Sequence, residues 1–195
     1  MPKSIILVEH QFNRLIQTII REEINSNPYF NNEITNMIER LPIKIQQLIK
    51  KHNSTIRVNP NLKYDGIYNK TTHEIVIKGY FMILLIKECV HLVQDELGIL
   101  SEKNLFCNEF QEHIIGDLLS YEYGGPTTIS GYDTGDKYRN WINAQMNDFN
   151  RERFINEFSI FLEEFRTHYK NTHYNVPIPD NYNWHWNEIF DYFGL

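Results

Sequence analysis

Two periods of apolar and polar positions divide the chain. Residues 4–25 place Ile5, Val8, Phe12, Leu15, Ile16, Ile19 and Ile20 at intervals of three and four, one face of a helix that Ser4 is suited to cap. Asn25-Ser26-Asn27-Pro28 breaks it, and a second helical stretch runs over residues 32–51 with a break expected at Pro42. The period then shortens. Residues 55–58, 64–68 and 73–78 read as strands, the last two forming a hairpin around Asn69-Lys70.

The next stretch, residues 81–97 closed by Gly98, returns to the helical period. Ile83, Ile86, Val90, Val93 and Leu97 form its apolar stripe. Lys87, His91, Gln94 and Asp95 share another face, with Glu88 at its border. A further helix is expected over residues 104–123. Residues 124–135 are rich in Gly, Pro, Thr and Ser and read as a loop. Helices follow over residues 136–146 and 149–169, the second with Phe154, Phe158, Phe161, Leu162 and Phe165 on one face. Residues 183–193 make an aromatic terminal helix that either closes the core or presents an interface. The order of elements predicts an α+β fold: a small, mainly antiparallel sheet with helices and a helix-rich C-terminal part. The expected organisation is a single domain over residues 1–195, with N-terminal helices in 1–52 and an aromatic-rich helical portion in 136–195.

Composition adds little to this picture but excludes several classes. At 195 residues, 42% hydrophobic and 14% aromatic, the chain can bury a core and is not of disordered composition. The formal charge of −6 gives no basic face, so nucleic acid is not an expected partner. No apolar run reaches the about 18 residues of a membrane span, and residues 1–8 lack a signal-peptide cleavage site. Cys89 and Cys107 are the only cysteines and form no paired motif. A disulfide between them is possible, but a reducing, cytoplasmic setting is the simpler expectation. Asp133-Thr134-Gly135 carries the residues that aspartic proteases use, yet neither flanking strands nor a second copy accompany it, so it reads as loop.

The central helix carries the chemistry. Lys87-Glu88-Cys89-Val90-His91, after an apolar run and before Leu92-Val93-Gln94, resembles the active helix of the zincin metallopeptidases, whose motif is H-E-x-x-H. The resemblance extends over residues 55–123. It implies an edge strand beside the cleft, taken from the strand at residues 73–78. It also implies a zinc held by two histidines and a carboxylate of the following helix, with the intervening Glu as general base. By that resemblance Glu88 stands at the general base, His91 at the second ligand and Glu112 or Glu109 at the third. Lys87 stands at the first. An ammonium has three donors and no lone pair, so Lys87 cannot ligate zinc as it stands. The vestigial metal positions are therefore Lys87, His91, Glu112 and Glu109, with no metal cofactor expected. The expected role is a catalytically inactive, zincin-like domain that binds a protein partner or joins an assembly. The alternative is an active zinc peptidase with unusual ligands: His91, Glu112 or Glu109, and His113 or another histidine. In the first reading Lys87 replaces the metal's charge and makes a salt bridge to Glu112, Glu109 or Glu88. His73 reads as an exposed strand residue.

Overall fold

A computed structural model describes residues 32–120, 136–171 and 174–195. The helix expected over residues 4–25, the loop over 124–135 and the Asp133-Thr134-Gly135 motif lie outside them. The fold is α+β, with a small mixed sheet of three strands and a helix-rich C-terminal part.

Helices α1 (Asn32–Glu39) and α2 (Ile43–Lys51) are separated at Pro42, which precedes the first turn of α2 where its missing N–H costs nothing. Their apolar faces, including Ile38, Ile45 and Ile49, are buried as scaffold. Strand β1 (Thr55–Val58) lies at one edge of the sheet. The chain then crosses to the far edge for β2 (Gly66–Asn69) and returns through a hairpin to place β3 (Glu74–Ile77) in the middle. In the hairpin turn the Asn69 side chain accepts hydrogen bonds from the backbone N–H groups of Thr71 and Thr72.

Two expectations are corrected here. The sheet is not mainly antiparallel. Strand β3 pairs antiparallel with β2 and parallel with β1, because the chain fills the centre last. The strand before the central helix is therefore not an edge strand. Ile75, Val76 and Ile77 are all buried rather than alternating, and β2 is the edge strand beside the cleft. His73 is a third difference. It sits in the turn before β3, half-buried, at a left-handed φ of 52°.

Helix α3 (Met82–Glu96) packs against the sheet and is closed by Gly98 at φ 72°. Its buried surface is wider than a stripe. Leu85, Ile86, Cys89, Val90, Leu92 and Val93 are fully buried, while Ile83 and Leu97 are only half-buried. After a short 3-10 turn, α4 (Leu105–Ser120) packs alongside α3. Helix α5 (Asp136–Asn147) follows. The stretch read as one helix over residues 149–169 is two, α6 (Arg151–Glu157) and α7 (Leu162–Tyr169), joined by a 3-10 turn over Phe158–Phe161. Asn150 caps α6 by accepting from Arg153 N–H.

Helix α8 (Trp186–Phe193) closes the core with Trp186, Ile189, Phe190 and Phe193. Phe154 meets Phe190 edge-on at 5.0 Å, and Phe110 meets Trp184 at 5.7 Å, so aromatic pairs join α8 and the segment before it to α4 and α6. Cys89 and Cys107 are buried free thiols, and the disulfide considered from sequence is not formed. No helix among the described residues is long and apolar enough to cross a membrane.

Candidate functional site

Helices α3 and α4 and the edge strand β2 enclose a cleft of about 770 Å3. Strand β2 and the residues before it form one wall, Tyr169 and Tyr174 contribute to another, and the floor is made of charged side chains from the two helices. Spacing explains the floor. Lys87, Glu88 and His91 lie within one helical turn, and Glu109, Glu112 and His113 lie within one turn of the facing helix.

Lys87 is the centre of the floor. Its Nζ lies 3.4 Å from Glu112 Oε1, with both side chains nearly excluded from water. The ammonium thus pins α3 to α4, the role expected of it from sequence, with Glu112 as the partner. Burial opposes its charge, but the carboxylates of Glu112, Asp117 and Glu88 outweigh that and hold its pKa above the ordinary value. Glu112 responds in the opposite sense. Burial would raise it, yet Lys87, His113 and His91 hold it below the usual carboxylate range. The aliphatic stem of Lys87 lies against Gly116 of α4, where an added Cβ would stand 2.9 Å from Cε and 3.0 Å from Cγ. The absence of a side chain there lets the helices approach closely enough for the pair to form.

His113 extends the network. Its Nδ1 accepts from the Lys87 ammonium at 3.5 Å, which leaves the ring proton on Nε2 to donate to the Tyr169 hydroxyl at 2.6 Å. Nε2 is also 3.6 Å from Glu112 Oε2, a buried oxygen with no hydrogen bond among the described residues. On the other side, His91 Nδ1–H donates to Gln94 Oε1 at 2.8 Å. Gln94 is itself fixed by donating to the Asn108 carbonyl and to Gln111 Oε1. This fixes the ring so that Nε2 points at Glu109 Oε1, 3.6 Å away. Burial works against the imidazolium, but Glu109, Glu88 and Glu112 outweigh it and raise the pKa of His91.

Glu88 is 6% exposed, and among the described residues no donor is hydrogen-bonded to its carboxyl. Burial pushes its pKa up to about 8, against the pull of His91. It packs under Gly66 of β2, where a Cβ would fall 2.2 Å from Oε1. Glu109 is also raised by burial, against the pull of His91. Behind the floor, burial pushes Asp117 up to about 7, although it accepts a hydrogen bond from the Tyr138 hydroxyl at 3.0 Å.

The structure therefore brings together every site position read from sequence: Lys87, Glu88, His91, Glu109 and Glu112, with His113. Glu109, Glu112 and His113 each offer one ligand atom, and these lie within 4.8 Å of one another. Asp95 does not join them. It accepts from Tyr68 at 2.8 Å and pairs with Lys70, tying α3 to β2 away from the floor. Sequence reading missed Gly66, Gly116, Asp117, Tyr169 and Tyr174. Gly116 was within reach, since it follows Glu112 by four positions and so shares its helix face. Tyr169 and Tyr174 come from distant sequence with no local signal. Searches against family models, curated proteins and solved structures find no match for this chain.

Proposed function

We propose that this chain is a zincin-like domain in which a lysine–carboxylate pair stands in for the metal, and that its cleft binds an extended segment of a partner protein without cleaving it. The observation that carries this reading is the Lys87–Glu112 contact of 3.4 Å on the cleft floor. Lys87 occupies the first ligand position of the H-E-x-x-H pattern and Glu112 one of the two candidate third positions. Their charges neutralise each other where a dication would be needed.

The donor set does not fit zinc as it stands. A cation entering the Glu109–Glu112–His113 group would face the Lys87 ammonium. It would also compete for His113, whose Nδ1 and Nε2 are engaged by Lys87 and Tyr169. Turning an ordinary lysine into a neutral ligand at pH 7 costs about 4 to 5 kcal/mol, and the surrounding carboxylates oppose it further. Glu88 without a metal-activated water has nothing to deprotonate in a peptidase cycle. The binding half of the reading is supported by β2, whose outer edge has no strand partner among the described residues and lies along the cleft. Ile67 and Tyr64 beside it are exposed large apolar residues.

The proximity of Glu109, Glu112 and His113 favours a second reading, an active zinc enzyme in which Lys87 is displaced. Elemental analysis and a protease assay decide between the two. The wild-type chain is expected to carry no stoichiometric zinc and to leave casein intact, while Lys87→His gains zinc. About one zinc per chain, lost on His91→Ala or Glu112→Gln and accompanied by chelator-sensitive cleavage, would overturn the binding reading.

A further inference from the structure

Among the described residues, the pairings on the cleft floor leave Glu88 over. Lys87 faces Glu112, the Nε2 of His91 faces Glu109, and Asp117 accepts from Tyr138. Glu88 has no hydrogen-bond donor among the described residues, although it is more than nine-tenths buried. Gly66 of β2 lies directly over its Oε1, so the edge strand closes that side, and the carboxyl contributes to the lining of the cleft. The carboxyl opens only onto the cleft, so a donor for it must come from what enters the cleft.

The surroundings indicate what would. Five acidic side chains line the cleft (Asp65, Glu88, Glu102, Glu109 and Glu112) against two lysines and two histidines, and Glu88 and Glu109, which burial keeps protonated more readily than usual, can give up a proton to an entering cation. Both lysines are already committed, Lys87 to Glu112 and Lys70 to Asp95. The walls carry tyrosine rings, including Tyr169 and Tyr174, and aliphatic side chains such as Leu84 and Leu105. Such walls suit the apolar stem of a long basic side chain and attract its cationic end.

Resting on the peptide-binding reading above, we propose that the segment taken by this cleft presents a basic side chain, lysine or arginine, whose charge is received by Glu88 with Glu109 beside it. The exposed edge of β2 would hold the backbone of the segment, and Glu88 would set its specificity.

The test is a selection of random hexapeptides displayed on phage against the immobilised full chain. Retained peptides are expected to be enriched in lysine or arginine at one position. A synthetic peptide from that pool should bind about tenfold or more tightly than its norleucine counterpart, as expected for losing a charge-assisted bond. Glu88→Gln should bring the two peptides close to equal affinity while still binding the norleucine form. If Glu88→Gln does not fold, judged by circular dichroism, Glu109→Gln should narrow the same ratio. Retained peptides with no basic enrichment, equal binding of the norleucine form to wild type, or a preference that survives these substitutions would overturn the basic-residue proposal and leave peptide binding standing. If no peptide is retained, the peptide-binding reading falls and this proposal falls with it. Binding of n-butylammonium alone as tightly as the peptide would show a site for free amines and overturn the peptide source.

Discussion

Lys87 and Glu112 form a buried ion pair between two helices. Both side chains are almost wholly out of water, at 13% and 8% exposure, so neither charge tolerates the loss of the other. Removing one member of a buried pair strands its partner and typically costs about 3 to 5 kcal/mol, far above the value of a surface pair. Lys87→Met is expected to reach that range, because Glu112 would face Glu109 and Glu88 with the ammonium gone. Glu112→Gln should cost less, since Asp117 or Glu88 can release its proton and take over the ammonium. Urea unfolding of both single variants and the double variant gives the coupling energy. A coupling near zero would mean that the contact contributes no stability.

At the scale of elements, the approach of α3 to α4 depends on Gly116. Alanine is the better helix former by about 1 kcal/mol, so on propensity alone Gly116→Ala would stabilise α4. Packing decides the other way. The new methyl would stand 2.9 to 3.0 Å from two carbons of the Lys87 stem, and that stem cannot swing aside without lengthening the contact to Glu112. Gly116→Ala is therefore expected to destabilise by about 1 to 3 kcal/mol. The loss should shrink in a Lys87→Ala background, where the methyl has room. An equal effect in both backgrounds would locate the clash elsewhere. The elements themselves differ in how legible they were. The hairpin was readable because Asn69 makes its turn with local bonds, and the helix break was readable at Pro42. The mixed pairing was not, because β1 joins β3 across a gap of sequence that no local pattern encodes. The width of the buried face of α3 was hidden for a similar reason. Leu85, Cys89 and Leu92 are buried by elements whose positions the helical period does not reveal. The site was more legible than the sheet, since six of its residues come from two helices at helical spacing. Gly66, Tyr169 and Tyr174 reach it only through the tertiary fold.

At the scale of the whole molecule, the buried floor sets how stability depends on pH. Glu88 faces His91, Glu112, Glu109 and Lys87, and its carboxyl titrates near pH 8 in the folded chain against an ordinary value of 4.5. Asp117 titrates near 7 against 3.8, and Glu109 is raised as well. Between about pH 4.5 and 8 the folded chain therefore holds protons that the unfolded chain has released. Stability falls as pH rises wherever the folded state binds more protons. His91 acts in the same direction, because its raised pKa contributes stability that is full below about 6.5 and is lost as pH climbs through the folded value. Glu112 acts oppositely. Its depressed pKa contributes stability above 4.5 that disappears as pH falls through the folded value, which sets the acid limit. The molecule should thus be most stable near pH 5 and weaken toward pH 8, by up to about 1.4 kcal/mol per pH unit for each group titrating. Urea midpoints measured from pH 4 to 8.5 test this. Glu88→Gln, which removes one of the buried protons, should flatten the upper part of the curve while leaving the acid limb in place. A curve that rises from pH 5 to 8, or one that Glu88→Gln leaves unchanged, would mean that Glu88 is ionised and solvated at neutral pH rather than holding its proton on the cleft floor.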